Sequence, residues 1–324
     1  MIESIQKQWT ITAAFHNQRL DTVLAQWLPE YSRTQIANWI KKGSVTLNQK
    51  TAKPKDKTAS GDVIILDVQL QPLDKDFTHC EAEDIPLSII FEDEDVLIIN
   101  KPAGLVVHPG AGNRQHTLVN ALLHHSPSLH ALPRAGIIHR LDKDTTGLLI
   151  VAKSMVAQTA LVRQMQAREI QRHYITLVYG RVLGGGVIDT GFGRHPRNRL
   201  KMSVLPQGRQ AITHYAVKDH YKFFTLLDVN LMTGRTHQIR VHLAHINHAV
   251  VGDPLYCGRV RFPAKAPVEL RAALEHFNRQ ALHACSLAFT HPINQQALSF
   301  KAPIPEDFHN LLTLLDEYDA DSSC

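Results

Sequence analysis

The sequence predicts an α+β protein in two units. One is a small α/β unit of two helices and a small sheet. The other is a larger unit on a mixed, mainly antiparallel sheet with flanking helices. Three observations predict this. Helical spacing gives way to strand alternation inside residues 16–70. From residue 89 onward, short apolar strands alternate with amphipathic helices and show no internal repeat. Between the two lies an acidic stretch holding Pro72 and Pro86, which reads as a linker. The boundaries expected are 16–75, a linker at 76–88, a main domain at 89–310 and an acidic tail at 311–324.

The elements follow in order. Leu20, Val23, Leu24, Trp27 and Leu28 recur at helical spacing, with Pro29 as a stop. Ser32 suits the N-cap of a second helix with Ile36, Trp39 and Ile40 on one face, and Gly43 suits its C′ position. Val45-Thr46-Leu47 alternates as a strand, Asn48-Gln49 offers a turn, and residues 62–66 read as another strand. In the larger unit, 96–99 and 148–152 are buried strands, 117–123 a short helix, and Ser154 caps a helix carrying Val156, Ala160, Leu161 and Met165. Further strands are expected at 174–182, 223–231 and around Leu282, Ala284, Leu287 and Phe289. Thr236 is the expected N-cap of a helix with Ile239, Leu243 and Ile246 at i, i+4, i+7, and the chain after Leu315 is expected to fray.

Composition narrows the function. The 324 residues are 44% hydrophobic and 20% charged, which fits a folded protein and not a disordered one. The apolar run at 147–152 is far short of the ~20 residues of a membrane span. The opening residues lack the basic and apolar regions of a secretory signal, so a cytoplasmic location is expected, with no membrane partner. The four cysteines form no C-x-x-C pair, which argues against a disulfide framework or zinc finger. The net charge of +5 is segregated: +5 over residues 16–60, −10 over 61–98, +16 over 99–304 and −6 over 305–324. Two basic bodies of this kind suit a polyanion, although a basic isoelectric point is also common in proteins without one.

Several motifs do not carry chemistry. The glycines at 184–186, 191 and 193 lack dinucleotide-binding spacing. The loop 108–113 lacks the ending of a phosphate loop, though it is placed to border a site. His242, His245 and His248 have no carboxylate to complete a metal set within their helix, so packing or phosphate contact is the expected role and no metal is assigned. Two segments are different. Residues 137–147 pack His139, Arg140, Asp142, Lys143, Asp144 and a Thr-Thr-Gly turn between apolar strands. A catalytic loop and a salt-bridged turn both fit, but a turn explains Asp144 better than Arg140 and Asp142. In 233–240 a glycine turn leads into a helix whose first turn holds Arg240. The helix dipole disfavours a cation there, so an anionic partner and a side chain turned to solvent are both open.

His139-Arg140-Leu141-Asp142 with Asp144-Thr145-Thr146-Gly147 resembles the signature of RluA/RluD-type pseudouridine synthases. Gly234-Arg235-Thr236-His237-Gln238-Ile239-Arg240-Val241-His242 is similar to a second signature of that family. Residues 18–65, with Arg19-Leu20-Asp21, Ser32-Arg33 and Gly43-Ser44-Val45, resemble an S4 RNA-binding domain. The segments 99–104 and 106–113 are similar to the branch that modifies large-subunit ribosomal RNA. Cys257 departs from the family, which often has glycine there. A loop adjustment is expected, without loss of chemistry.

The resemblance implies an isomerase that needs no cofactor. Asp142 would be the catalytic carboxylate, acting on C1′ or the 2′ proton, with Arg240 as its cation. The target uridine must leave its stack. Arg140 would guide or replace it, Tyr174 would stack on it and help move the C5 proton, and Ile239 would belong to the apolar floor. Arg33, Lys41 and Lys42 of the S4 unit would hold phosphates. The implied partner is 23S ribosomal RNA in the large-subunit precursor, with the helix 69 stem-loop as the target, met by a monomer without an obligate protein partner. The alternatives are a synthase acting on transfer RNA, a non-catalytic assembly factor, and a glycoside or nucleoside hydrolase. The last needs two spaced carboxylates, whereas Asp142 and Asp144 are two residues apart.

Overall fold

The computed structural model describes residues 4–28, 31, 33–69, 80–110, 113, 115–263 and 266–321. The N-terminal unit holds β1 (Ser4–Thr10), α1 (Leu20–Trp27), α2 (Arg33–Lys41), β2 (Val45–Leu47), β3 (Lys50–Thr51) and β4 (Val63–Gln69). Its strands form an antiparallel sheet in the order β1-β4-β2-β3. Leu20, Leu24, Ile36 and Ile40 of the helices pack on Val45, Ile64 and Leu66 of the sheet. Gly43 ends α2 with φ +79, in the left-handed region that a Cβ disfavours. Its N–H donates to Ile40 O at 3.1 Å and that of Ser44 to Trp39 O at 3.0 Å. Asn48 and Gln49 both take positive φ, the demand of a two-residue hairpin turn between β2 and β3. The Pro29 stop and the Ser32 cap lie outside the described residues, as do residues 76–79 of the expected linker.

The boundary at residue 16 needs correction. β1 pairs with β4 along its whole length, from Thr10 opposite Val63 to Ser4 opposite Gln69. This edge strand carries Gln6, Lys7 and Gln8 among its apolar residues, which blurs the alternation that marks a strand.

The larger unit holds β5 (Ile89–Glu92), β6 (Val96–Lys101), α3 (Leu118–His125), β7 (Thr146–Ala152), α4 (Met155–Ala167), β8 (Gln171–Tyr179), β9 (Gly186–Arg194), β10 (Met202–Val204), β11 (Arg209–His220), β12 (Phe224–Leu231), α5 (Gln238–His245), α6 (Val268–His276), β13 (Leu282–Thr290), β14 (Ala297–Lys301) and α7 (Glu306–Asp321). The sheet runs β10-β9-β11-β12-β8-β13-β7-β6-β5, with β14 paired to β13. β13 is parallel to β7 and the other pairings of the named strands are antiparallel.

Alternate residues of β6 and β7 face two different cores. Val96, Ile98, Leu148 and Ile150 pack with Ala157 and Leu161 of α4 on one face. Leu97, Ile99, Leu149 and Val151 belong to the larger core on the other face, with α3, α5, α6 and α7. β7 is therefore apolar without alternation and buried throughout. Ser154 caps α4 by accepting from Ala157 N–H at 3.1 Å. Among the described residues no helix is long and apolar enough to cross a membrane.

Two further expectations are overturned. The helix after Gly234 is capped by His237, at φ +58, and not by Thr236. An acidic, fraying tail does not form over 311–321. Instead, Phe308, Leu311, Leu315 and Tyr318 bury one stripe of α7, and Asp316 and Glu317 lie on its exposed side. The acidic composition hid that stripe. β9, β10, β11, β14 and α6 were not foreseen. β11 is largely exposed, and its polar residues mask strand alternation. Phe308 is fully buried in the main core. Phe308→Ala is expected to cost about 3–5 kcal/mol, read as a lower midpoint in urea unfolding.

Candidate active site

The loop before β7 is held from several sides. Gly147 adopts φ +110, and a Cβ there would lie 2.2 Å from Ala284 O, so only glycine lets β7 approach β13 this closely. Thr146 Oγ1 is 2.9 Å from His283 Nδ1, and Gln280 Nε2 donates to Thr145 Oγ1 at 2.9 Å. Arg279 Nη1 reaches Asp144 O at 3.4 Å while its other nitrogens grip Asp307 of α7. Lys101, at 0% exposure, donates to Pro102 O, Leu105 O and Lys143 O at 2.7, 2.9 and 2.7 Å. Burial pulls its pKa down to about 7, against the pull of Asp144 and Asp142 toward the charged form. Three carbonyls are its compensation.

Asp142 lies within this loop and lines a cleft. Arg240, in the first turn of α5, donates from Nη1 to Asp142 Oδ2 at 2.9 Å. Its Nε and Nη2 donate to the two carboxylate oxygens of Asp253 at 2.7 and 2.9 Å. The Arg240 side chain is 4% exposed, that of Asp253 0% and that of Asp142 15%. Burial opposes the charge on Arg240, but Asp253 and Asp142 outweigh it and hold the guanidinium firmly cationic. The Tyr256 ring supports the guanidinium, with its centroid 5.2 Å from Cζ. The Tyr256 hydroxyl accepts from Met202 N–H at 2.8 Å and lies 2.8 Å from His237 Nδ1. His237 Nε2 is 3.9 Å from Asp142 Oδ1, and burial lowers the pKa of its ring.

The cleft holds about 490 Å³, with Asp142, Tyr174, Arg140, Arg172, Arg134, Arg235 and His108 among its walls. Tyr174 is buried on β8. Burial raises the pKa of its phenol, and Asp142 adds to the rise while Arg172 opposes it. Arg140 is exposed at the mouth. Ile239 lies with Asp142, Tyr174 and Arg240 around a smaller recess of about 40 Å³. The five residues singled out in the sequence for this site are thus brought together. Lys101, Asp253, Tyr256, His237 and Arg172 were not assigned to it. The buried carboxylate–guanidinium pair between Asp253 and Arg240 spans 13 residues and leaves no spacing signal.

The three S4 residues behave differently. Arg33 donates to Asp21 Oδ1 at 2.9 Å, beside Arg19 on the other oxygen. Burial would raise the Asp21 pKa, but the two arginines pull it down to about 2. Arg33 therefore has a structural partner, whereas Lys41 and Lys42 are exposed at the end of α2. His242 sits between Thr213 and Thr190 hydroxyls at 2.9 and 3.1 Å, as a packed histidine. Burial pushes its pKa down to about 4. Cys257 is buried, and Gly258 beside it supplies the positive φ of that turn.

The RNA pseudouridylate synthase family matches residues 95–245, and the S4 domain matches residues 18–64. Over 316 residues the chain is 47% identical to a ribosomal large subunit pseudouridine synthase D of Xanthomonas campestris, covering 98% of this chain and 94% of that one. The protein of the same name from Escherichia coli is 46% identical over 316 residues, covering 97% and 96%. Human RNA Pseudouridylate Synthase Domain Containing 4 shares the fold at a TM-score of 0.56 and 25% identity, over 71% of this chain and 93% of that one. With a carboxylate and a guanidinium paired at the rim of the cleft and identity of this extent on both sides of it, the chain belongs to the RNA pseudouridylate synthase family, preceded by an S4 domain.

Proposed function

We propose that this isomerase converts specific uridines of large-subunit ribosomal RNA to pseudouridine in the cytoplasm, with Asp142 as the carboxylate that acts on the ribose. The helix 69 stem-loop is the proposed target, met on the large-subunit precursor by a monomer. The observation that carries the reading is the 2.9 Å contact between Asp142 and Arg240 beside a cleft walled by Tyr174. A nucleotide turned out of its stack would lay its base against Tyr174 and its sugar toward Asp142. Arg240 aims that carboxylate. The C1′–N1 bond breaks, the base rotates, and C5 takes the place of N1. The walls keep water from the sugar while the base is free. Ribosomal RNA as the substrate is supported by the relatives' names and by the S4 domain. Exposed Arg140 at the mouth suits the strand from which the nucleotide has turned.

Asp142→Asn should abolish tritium release from C5-labelled uridine RNA while leaving RNA affinity within a few-fold. Turnover by this variant would refute the role of Asp142. Asp253→Ala should cost about 3–5 kcal/mol, seen as a lower melting temperature, and should lower kcat, because Arg240 loses its fixed position. Replacing both Lys41 and Lys42 with alanine should weaken binding of 23S RNA fragments and make log K against log salt shallower by about 1.5–2. An unchanged slope would remove these lysines from the interface. Pseudouridine mapping in ribosomal and transfer RNA from cells lacking the protein identifies the target. Loss confined to transfer RNA would overturn the ribosomal assignment.

A further inference from the structure

The described residues include three buried arginines, Arg172, Arg240 and Arg279. Arg240 and Arg279 each grip a carboxylate through two nitrogens. Arg172 does not. At 7% exposure its one hydrogen bond within the described residues runs from Nη2 to Leu231 O at 3.2 Å, and its Nε is buried without a partner. A guanidinium left in this state costs stability, and a fold that keeps one has a use for it. The fold also makes room for it. A Cβ on Gly234 would lie 2.8 Å from Arg172 Nη1, so the glycine that opens the segment before α5 clears the space.

Arg172 is two residues from Tyr174 on β8, so both side chains share one face of the strand, and both wall the cleft beside Asp142. Arg140 and Arg235 are exposed where the RNA backbone would pass, whereas Arg172 is buried where the base would enter. Resting on the reading of Asp142 and Tyr174 given above, we propose that Arg172 stabilises the detached uracil anion through its carbonyl oxygens. When the C1′–N1 bond breaks, its electron pair leaves with the base, and the charge spreads over N1 and the carbonyl oxygens. Formation of the C1′–C5 bond uses that electron density. Where Asp142 has attacked C1′, that new bond displaces it; C5 then gives up its proton to the Asp142 carboxylate, which passes it to solvent, and N1 takes one from solvent. No further reactant is required. A fixed cation facing charge that exists only after bond cleavage lowers the barrier without tightening substrate binding.

Steady-state kinetics on uridine RNA at several salt concentrations test this. Arg172→Gln should lower kcat about 100-fold or more, with KM within threefold and its salt slope unchanged. Arg172→Lys, which keeps the charge, should recover most of the loss. Gly234→Ala, which displaces the guanidinium without removing it, should fall between. Unfolding curves establish that the variants fold; if Arg172→Gln does not, Arg172→Lys and Gly234→Ala carry the test. A rise in KM with a salt slope shallower by about one would make Arg172 a phosphate contact and overturn the proposal, as would an unchanged kcat. Asp142→Asn run alongside separates the two readings. If it remains active, the site assignment itself fails. If it is inactive while the Arg172 variants turn over normally, only the role of Arg172 falls.

Discussion

One guanidinium shared by two carboxylates organises this site. Arg240 gives two nitrogens to Asp253 and the third to Asp142. The Asp253 side chain is fully buried and pairs with Arg240, with the Leu255 and Tyr256 N–H groups also donating to its Oδ1. Its charge anchors the arginine, and the arginine then has one nitrogen left to aim at the rim of the cleft. A cation in the first turn of α5 works against the helix dipole by about 0.3–1 kcal/mol. Two carboxylates on one buried guanidinium exceed that cost easily, so the placement persists.

The loop that carries Asp142 is rigid for a related reason. Its backbone carbonyls are held by two buried basic side chains, Lys101 on Lys143 O and Arg279 on Asp144 O. Arg279 is in turn fixed by Asp307 at the start of α7. The acidic C-terminal helix is therefore continuous with the catalytic loop through a single side chain. Its acidic residues are divided between the exposed side and the Arg279 contact, and the charge segregation along the sequence has a structural meaning here as well as an electrostatic one.

The sequence made much of this legible. Periodicity located α1, α2 and the buried strands β6 and β7, because those elements bury largely apolar stripes; α4 lies where expected behind its Ser154 cap, but it buries Gln158 and Thr159 and leaves Val156 of the expected stripe exposed. It failed at β1, β9 and β11, whose half-wet faces mix polar residues into the strand period, and at α7, whose acidic residues disguised a clean apolar stripe. The site itself divides in the same way. Asp142, Arg140, Arg240 and Ile239 stand in two dense motifs, and their roles, like that of Tyr174 outside those motifs, came from the family resemblance that the motifs carry. Asp253, Tyr256 and Lys101 support those residues from distant positions, and a partner chosen by tertiary packing leaves no mark in local spacing. The Thr236 cap was misplaced by one residue because His237 takes a left-handed conformation that a cap preference for threonine does not anticipate.

The titratable groups around the cleft also narrow which of them handles protons. Burial, with Arg172 beside it, pushes the His139 pKa down to about 3, and burial, with Arg134 and Arg140 nearby, pushes that of His108 down to about 4. Burial lowers that of His237 as well, though Asp142 opposes it. These rings are neutral at physiological pH, so the positive charge of the cleft is carried by arginines that do not titrate there. Burial raises the pKa of the Tyr174 phenol, which makes it a poor base. In the proposed reaction the Asp142 carboxylate acts on the sugar and then receives the proton from C5. One residue serving two steps in that proposal has to stay aimed and close to a moving base, and the fixed Arg240 and the clamped loop hold it in place.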